Sequence, residues 1–403
     1  MLEIRRITAN EIKEKDKINT VVYNGRWDFS KDYDSGPLSH PYEWYWGAFE
    51  NGRMVSKFDE TPYVMRFDGN DAKMSGIGGI GTLPEDRKGG KVSQMFEKIL
   101  PDEYENGFIF SNLCPFNHLF YRNFGYETCC ARNEITVPVD QFESLKREGS
   151  FTLMHPGDDT SALQTIHEKY ITDLNHAIRR DVWTGNRAWR MFTRNDPYKT
   201  GKYLYIWSDD AGNARSYIKY RHEKNKVDDD INHMVVEELA FMDKEALYAI
   251  FSLAGALSSQ MDTLIWMMPT FIDPFDFIDL DWNVELKKFP RDMTRIVNVK
   301  QALTLMRKPE SEGSFIIETS DPIIKENTAR WMVEYGREGK YIAKTQKNAD
   351  IVCDMPSLAQ LITGYRTLEN LLFSSRACVE VHGNRKLLDS VFTQRPQHLT
   401  EDF

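Results

Sequence analysis

The chain has 403 residues, of which 41% are hydrophobic and 12% aromatic, and its formal net charge is −10. This length exceeds one ordinary hydrophobic core and predicts two or three packed domains. The acidic balance argues against general binding of nucleic acid or anionic membrane, because both are polyanions, and we expect neither as a partner.

The spacing of cysteine and histidine gives no sign of a metal site or a disulfide framework. The five cysteines form no CxxC pair, and the nine histidines show no HExxH-like spacing. The N-terminus lacks an apolar signal core, and the most apolar stretch, residues 247–257, is far too short to span a membrane. We therefore expect a soluble, cytoplasmic protein that binds no metal.

The first region of the chain has the pattern of a mixed α and β domain. A short strand, a charged helix over 11–23 and a polar loop over 24–41 precede the clearest hairpin in the sequence. In this hairpin two strands, the first of them aromatic, flank Asn51-Gly52, a dipeptide typical of a type I′ turn. Two or three antiparallel strands are therefore expected to lead into the glycine-rich segment that follows.

That segment predicts a strand, a basic turn and the start of a helix. It runs from Gly76 to Val92 and reads Gly-Ile-Gly-Gly-Ile-Gly-Thr-Leu-Pro-Glu-Asp-Arg-Lys-Gly-Gly-Lys-Val. A helix start presents unpaired N–H groups and a positive dipole end, which favour a phosphate or pyrophosphate. Gly89 and Gly90 let the main chain approach a ligand closely. The spacing is neither that of a Walker loop nor GxGxxG, and a basic turn without a ligand remains the alternative.

A second informative segment is Phe-Tyr-Arg-Asn-Phe-Gly-Tyr from Phe120 to Tyr126. It predicts a short helix, a glycine C-cap at Gly125 and a strand that begins at Tyr126. Tyr121 and Phe124 have the spacing of two aromatic side chains that fill a core, so this segment alone does not indicate a site.

The middle of the chain repeats the order of the first region. Helices over 161–174 and 183–195 precede three strands, and a helix over 244–261 precedes a buried strand. Only Met242-Asp243 separates the third strand from its helix, where the first region has the basic glycine turn. The second copy can therefore share the fold without the ligand site.

The last part of the chain predicts a third domain. Residues 271–289, rich in Asp and Phe, have the composition of a linker, and a strand begins near Met293. Several strands follow, and then helices, the first of which opens with Pro356 and Ser357. The tail, 393–403, is polar, and a solvated terminus is its simplest interpretation.

Together these motifs resemble a known superfamily. Arg-x-x-Gly-x-Val after Leu-Pro resembles the acyl-CoA pyrophosphate loop of GNAT N-acetyltransferases, although Val92 stands where that family usually has Gly or Ala. Phe-Tyr-x-x-Phe-Gly-Tyr resembles the late motif of the same superfamily, whose first tyrosine lies near the thioester sulfur. The whole chain resembles the Eis family of multi-acetylating aminoglycoside N-acetyltransferases in three features. They are the three-part layout, the opening of the third domain with Met-Thr-Arg-Ile-Val-Asn-Val, and the terminal Phe403.

This resemblance implies a fold and a reaction. The expected fold is α+β (mixed α/β), with two tandem GNAT acetyltransferase domains followed by a sterol-carrier-protein-like domain. The expected bounds are 1–140 for the acetyl-CoA-binding domain, 141–288 for a degenerate copy and 289–403 for the third domain. The resemblance also implies acetyl-CoA as co-substrate, a small polycationic amine as acceptor, and a homo-oligomer that is a hexamer.

Residue roles carry over from the family to matching positions. The Phe403 carboxylate is expected to act as general base and Tyr121 as general acid. The expected cofactor-binding residues are Ile80, Thr82, Leu83, Arg87, Lys88, Gly89, Gly90, Lys91 and Val92. The expected substrate-binding residues are Asp28, Asp32, Glu43, Trp44 and Glu401.

The chemistry agrees with these roles. An amine must be neutral to attack a thioester, and a nearby carboxylate can accept its proton. Main-chain N–H groups between Ile80 and Leu83 can stabilise the oxyanion, and Tyr121 can protonate the departing thiolate. Two alternatives stay open: an N-acetyltransferase of proteins or peptides, and a non-catalytic scaffold that binds apolar ligands through the third domain.

Overall fold

The structure is a computed structural model. It describes residues 2–24, 44–146, 148–180, 186–228, 230–276, 284–399 and 401, without the side chains of 186, 187 and 291. Contacts divide them into two compact units. The first unit holds the described residues up to Cys129, Arg291–Arg395 and Glu401, and the second holds those from Cys130 to Pro290 and 396–399. No helix in the described part of the chain is long and apolar enough to cross a membrane.

The first third of the chain forms a sheet covered by helices. Its strands are β1 (Leu2–Arg6), β2 (Tyr45–Glu50), β3 (Arg53–Phe67), β4 (Asn70–Thr82), β5 (Phe110–Leu113) and β6 (Glu127–Pro138). Its helices are α1 (Ile12–Tyr23), α2 (Lys91–Glu105) and α3 (His118–Arg122). Strands β1 to β4 pair antiparallel in chain order, and β5 then pairs parallel to β4.

The predicted hairpin is present, and its turn explains why. Asn51 and Gly52 have φ angles of 52° and 78°, the positive values that a type I′ turn requires. Behind the sheet, Phe96 and Ile99 of α2 are fully buried in the core. Burial of this apolar face fixes α2 on the sheet and therefore fixes the position of its N-terminus.

The middle third repeats this arrangement. Its strands are β7 (Ser150–Leu153), β8 (Lys202–Ser208), β9 (Ala214–Lys224), β10 (Asn232–Phe241) and β11 (Thr263–Pro269). Its helices are α4 (Ser161–Ile171), α5 (Asn186–Phe192), α6 (Pro197–Thr200) and α7 (Lys244–Gly255). Strands β7 to β10 pair antiparallel in chain order, β11 runs parallel to β10, and β6 pairs antiparallel to β11.

The last third begins with a strand of the first unit's large sheet. The strands are β12 (Glu285–Ile296), β13 (Gly313–Ser320), β14 (Ala329–Gly336), β15 (Gly339–Thr345), β16 (Ile351–Asp354) and β17 (Val379–Val381). The helices are α8 (Val299–Leu305), α9 (Met355–Thr363), α10 (Leu368–Phe373) and α11 (Arg385–Val391). β12 pairs antiparallel to β5 through Met293–Ile296, and β13 to β17 form a separate five-stranded sheet.

The predicted linker over 271–289 is wrong at its C-terminal end, because β12 already begins at Glu285. The start of this strand is charged, and Lys287 pairs with Glu285 at 2.9 Å. A charged start of this kind lacks the alternation of apolar and polar residues that identifies a half-buried strand in a sequence.

Candidate active site

Helix α2 begins with an uncapped N-terminus. Gly90 is the N-cap residue, with φ of 66°, and it has no side chain that could accept a hydrogen bond. The first main-chain bond of the helix runs from the Gln94 N–H to the Gly90 carbonyl at 3.0 Å. Within the described residues, the amides of residues 88–93 have no acceptor. Such a row of N–H groups at the positive end of a helix suits an anion.

The basic side chains of this loop differ in their availability. Arg87 and Lys88 are exposed, and within the described residues Arg87 Nε donates a single, long bond of 3.3 Å to the Thr82 carbonyl. Lys91 is held by the protein itself, since its ammonium group donates to the Asp86 carbonyl at 3.0 Å and lies 3.2 Å from Glu50. Arg87 and Lys88 are therefore the charges that an anion at the helix start would meet.

Strands β4 and β5 separate beside this loop. Their parallel pairing ends at Ile77 and Leu113, whereas β4 continues to Thr82. On the other edge of β4, Asp59 pairs with Gly78 and Lys57 with Gly81, so β4 carries one extra residue there. This β-bulge lies on the part of β4 that has left β5 and changes the direction of its peptide groups.

The bulge requires glycine at position 79. Gly79 has φ of 53°, and a Cβ atom there would lie 2.2 Å from Asp59 Oδ2 and 2.5 Å from Lys57 Nζ. The Lys57 ammonium group is fully buried and donates to both Asp59 oxygens at 2.8 and 2.9 Å. Burial lowers the pKa of Lys57, and Asp59 opposes that shift. Tyr23 completes the support by donating to the Ile80 carbonyl at 2.8 Å.

A cavity of about 730 Å³ occupies the gap between the two strands. It joins the end of α1, the bulged part of β4, the start of α2 and the segment that follows β5. Its lining residues are Val22, Tyr23, Ile77, Gly78, Gly79, Ile80, Thr82, Asp86, Arg87, Lys88, Gly89, Gly90, Lys91, Val92, Ser93, Cys114, Phe116, Phe120 and Tyr121.

Tyr121 lies in the wall of this cavity and is only 2% exposed. Its ring packs edge-on against Phe96 and Phe120. Among the described residues its hydroxyl group has no hydrogen-bond partner. Burial raises the pKa of Tyr121 above its ordinary value, and Tyr23 and Cys114 add to the shift. The phenol is therefore protonated at neutral pH and can act as a donor.

The turn after Tyr121 is fixed by an arginine from β12. Gly125 has φ of 83°, and a Cβ atom there would lie 2.3 Å from Arg295 Nη1. Arg295 donates to the Phe124 carbonyl and forms a fully buried ion pair with Asp321 of the third domain. Because Arg295 and Asp321 are both buried, this contact anchors the turn that follows α3.

Comparison with known protein families identifies the domains. Residues 3–129 match an acetyltransferase (GNAT) domain, residues 178–296 match a second acetyltransferase (GNAT) domain, and residues 299–400 match a sterol carrier protein domain. The chain is a GNAT acetyltransferase. GNAT domains use acetyl-CoA, and the predicted order of two GNAT domains and a sterol-carrier-protein-like domain is confirmed.

Solved structures show the same fold over the whole chain. The GCN5-related N-acetyltransferase from Anabaena variabilis ATCC 29413 has a TM-score of 0.86 at 16% identity, with 100% of both chains covered. A probable N-acyltransferase from Enterococcus faecalis V583 has a TM-score of 0.85 at 20% identity, again with 100% of both chains covered.

Eis1 from Mycobacterium abscessus has a TM-score of 0.80 at 20% identity and 100% coverage of both chains. The predicted Eis-like GNAT architecture is therefore confirmed as a fold. A search of curated protein sequences finds no match to this chain.

The GNAT pocket brings together most of the residues predicted for cofactor binding. Ile80, Thr82 and the whole loop 87–92 line it with Tyr121. Leu83 does not line it. The Leu83 amide donates to the Val55 carbonyl at 3.0 Å, and its side chain packs against a neighbouring apolar cluster.

The predicted substrate residues are only partly visible. Three predicted substrate residues and the predicted base lie outside the described residues: Asp28, Asp32, Glu43 and Phe403. Two others, Trp44 and Glu401, are described, and both are partly buried. Among the residues whose side chains are described, no three His, Cys, Asp or Glu side chains gather as ligands for a metal.

Several residues that line or support the pocket were not predicted from the sequence. The glycine-rich run contained a signal for the bulge at Gly79, since a glycine within a strand often marks one. Lys57 and Asp59 gave no sequence signal for a place behind the pocket, because charged residues in a strand usually indicate its solvent-facing side. Tyr23 and Cys114 become pocket residues only through contacts between elements that are distant in sequence.

Proposed function

We propose that this GNAT acetyltransferase transfers the acetyl group of acetyl-CoA to a primary amine of a small, polycationic, aminoglycoside-like molecule. The observation that carries the proposal is a pocket of about 730 Å³ whose walls contain both an uncapped helix start and Tyr121. A helix start can bind the pyrophosphate of a CoA thioester, and a protonated phenol can protonate the thiolate that leaves when the thioester is cleaved.

In this proposal the amides of residues 88–93 bind the pyrophosphate of acetyl-CoA. Arg87 and Lys88 add positive charge, and both are exposed beside those amides. The pantetheine arm then lies in the gap between β4 and β5, bordered by Ile80 and Thr82. Leu83 stays outside this set, since its amide already donates to Val55.

The residues next to the thioester would act in sequence. The neutral amine attacks the acetyl carbonyl, and main-chain N–H groups of β4 near Ile80 stabilise the oxyanion. Tyr121, whose phenol is protonated at neutral pH, donates its proton to the departing thiolate of CoA. The carboxylate of Phe403 accepts the proton of the attacking amine.

The proposed acceptor follows from charge. The chain carries a formal charge of −10, and Asp28, Asp32, Glu43 and Glu401 with Trp44 would provide an acidic and aromatic surface for a polycation. We further propose a cytoplasmic hexamer, as in the family that the chain resembles, with no nucleic-acid or membrane partner.

An assay of CoA thiol release with a panel of amines tests the proposal. Aminoglycosides should release CoA, and peptides with free N-termini or lysines should release far less. Release with peptides alone would indicate a peptide or protein N-acetyltransferase. The absence of release with any amine would indicate a non-catalytic scaffold that binds apolar ligands.

The role of the C-terminal carboxylate has a test of its own. Residues appended after Phe403 move the carboxylate and should lower turnover by about 100-fold, the range of a lost general base. The same extension at the N-terminus is the control and should leave turnover unchanged. Full activity of the C-terminally extended protein would remove Phe403 from the mechanism.

A further inference from the structure

Cys114 is placed where the two strands separate. It directly follows Leu113, the last residue of β5 that pairs with β4, and it lines the pocket with Gly78, Gly79 and Tyr121. Its side chain is exposed. Of the other cysteines, three are buried, and Cys378 is exposed in the third domain. Cys114 is the cysteine that lines this pocket.

A carboxylate from β12 orients the thiol of Cys114. The Cys114 S–H donates to Asp292 Oδ1 at 3.0 Å, and Asp292 is fully buried. The bond fixes the sulfur atom at the edge of the pocket. It also provides an acceptor for the thiol proton, which the sulfur must lose before it can act as a nucleophile.

A second, independent feature indicates a polar ligand at the same place. Tyr121 is 98% buried, since only 2% of it is exposed, yet among the described residues its hydroxyl group has no partner. When a buried tyrosine has a hydroxyl group without a protein partner, that group normally faces a ligand or water. A thiol and a protonated phenol therefore lie in the wall of one pocket.

We propose that Cys114 is a modification site for CoA disulfide, which forms a mixed disulfide that closes the cofactor pocket. The inference rests on the proposed function, because it needs the CoA moiety to bind at the start of α2. It adds a second reaction of the same pocket, in which the ligand is a disulfide rather than a thioester.

The reaction is thiol–disulfide exchange. The Cys114 thiol loses its proton, which Asp292 can accept, and the thiolate attacks one sulfur of CoA disulfide. The S–S bond of CoA disulfide breaks, and a new S–S bond joins Cys114 to one CoA. The second CoA leaves as a thiolate and takes up a proton, for which Tyr121 is a donor. The Cys114 sulfur is oxidised, the departing CoA sulfur is reduced, and CoA disulfide is the oxidant.

The modification would make acetyl transfer sensitive to the redox state of the CoA pool. A CoA held by Cys114 occupies the pocket and excludes acetyl-CoA. A reducing thiol attacks the mixed disulfide and restores the enzyme. Acetyl-CoA has no S–S bond and cannot form the adduct, so it should protect Cys114 by occupying the pocket.

The experiment treats the reduced full-length protein with CoA disulfide and follows intact mass, peptide masses and acetyl transfer. We expect one CoA per chain on the Cys114 peptide, a loss of activity of at least about tenfold, and recovery with dithiothreitol.

Acetyl-CoA should slow the modification at least about tenfold, and glutathione disulfide, which lacks the pyrophosphate, should react more slowly than CoA disulfide. Cys114→Ser should form no pocket adduct, and Cys378→Ser, which removes the other exposed thiol, should behave as wild type.

Three results would overturn the inference while the proposed function stands. They are no adduct at Cys114 in a protein that binds acetyl-CoA by calorimetry, equal reaction of Cys114 with CoA disulfide and glutathione disulfide, and equal modification of Cys114 and Cys378. The last of these would show that accessibility alone controls the reaction. A protein that neither binds acetyl-CoA nor releases CoA thiol would contradict the proposed function itself.

Discussion

The two GNAT domains place a helix after equivalent strands, yet the starts of these helices differ. Helix α2 has Gly90 as N-cap and no side-chain cap. Helix α7 has Asp243, whose carboxylate accepts the Ala246 N–H at 3.0 Å and binds Arg215 at 2.6 Å. In the second domain the protein's own carboxylate therefore occupies the position that an anionic ligand would take.

The strands that precede these helices differ in the same way. In the first domain the irregular position on β4 is Gly79, which opens onto the pocket. In β10 the pairing shifts between Val236 and Glu238, and Glu238 binds Arg180 at 2.6 Å and accepts from the Tyr217 hydroxyl at 2.5 Å. One duplicated framework thus has a ligand pocket in one copy and a buried cluster of side chains in the other.

The largest expected effect is a loss of stability of the second unit in acid. Burial lowers the pKa of His167 to about 3, of His176 to about 4 and of His398 to about 3. Unfolded histidine titrates near 6.5, so the unfolded chain binds more protons. The stability that the three neutral histidines contribute is complete above pH 6.5. It is lost as the pH falls toward the pKa values of these histidines in the folded protein. At pH 5 each buried histidine should lower the free energy of unfolding by roughly 2 kcal/mol.

Amide hydrogen exchange at pH 7 and pH 5, corrected for intrinsic rates, checks this prediction. Peptides from 130–290 should lose protection, whereas those of the first unit should keep theirs. The buried Glu103 of the first unit has a raised pKa through burial, so its contribution to stability is lost as pH rises and not as it falls. Equal loss of protection in both units would contradict the prediction.

The next effect follows from giving α2 the cap that α7 has. Gly90→Asp places a carboxylate beside the free main-chain amides at the start of α2. Its negative charge then repels the negative charge of a pyrophosphate. We expect the Kd for acetyl-CoA, measured by calorimetry, to rise by about 100-fold. Gly201→Asp is a matched control, because Gly201 has a φ of 64° close to the 66° of Gly90 and ends a helix in the second domain. Similar binding by both variants would exclude the helix start as the anion site.

Tyr121→Phe should lower turnover by about 100-fold, the typical contribution of a general acid, and leave acetyl-CoA affinity nearly unchanged. Tyr170→Phe is the control, since Tyr170 is a partly buried tyrosine of the second domain whose buried hydroxyl has no partner in the described structure. Steady-state kinetics and calorimetry separate the two effects. Normal turnover with weakened binding would assign Tyr121 a role in cofactor binding instead.

The smallest effect is expected from removing the cap of α7. Asp243→Ala should lower the free energy of unfolding of the second unit by about 1 kcal/mol, because an N-cap bond is lost. Urea denaturation measures this change. Acetyl transfer at saturating acetyl-CoA should not change, and a loss of transfer would show that the second helix start takes part in the reaction.

The sequence predicted those features of the site that local residues determine. The turn at Asn51-Gly52 and the helix start after Gly90 depend on neighbours in the chain, and both are present. The repeat of the fold in the second domain was also predicted, because the order of its strands and helices is readable from periodicity.

Contacts between distant residues could not be predicted. Cys114 and Asp292 are 178 positions apart, and only the pairing of β12 with β5 brings them together. Lys57 is a charged strand residue whose full burial depends on Asp59 and on the bulge at Gly79. The raised pKa of Tyr121 likewise results from burial in a core to which several separate elements contribute.

A crystal structure with bound acetyl-CoA tests the central claim most directly. We expect the pyrophosphate oxygens within hydrogen-bond distance of the amides of residues 88–93, and no nucleotide at the start of α7. A pyrophosphate bound at α7, or an empty gap between β4 and β5 in the presence of the bound cofactor, would contradict the account.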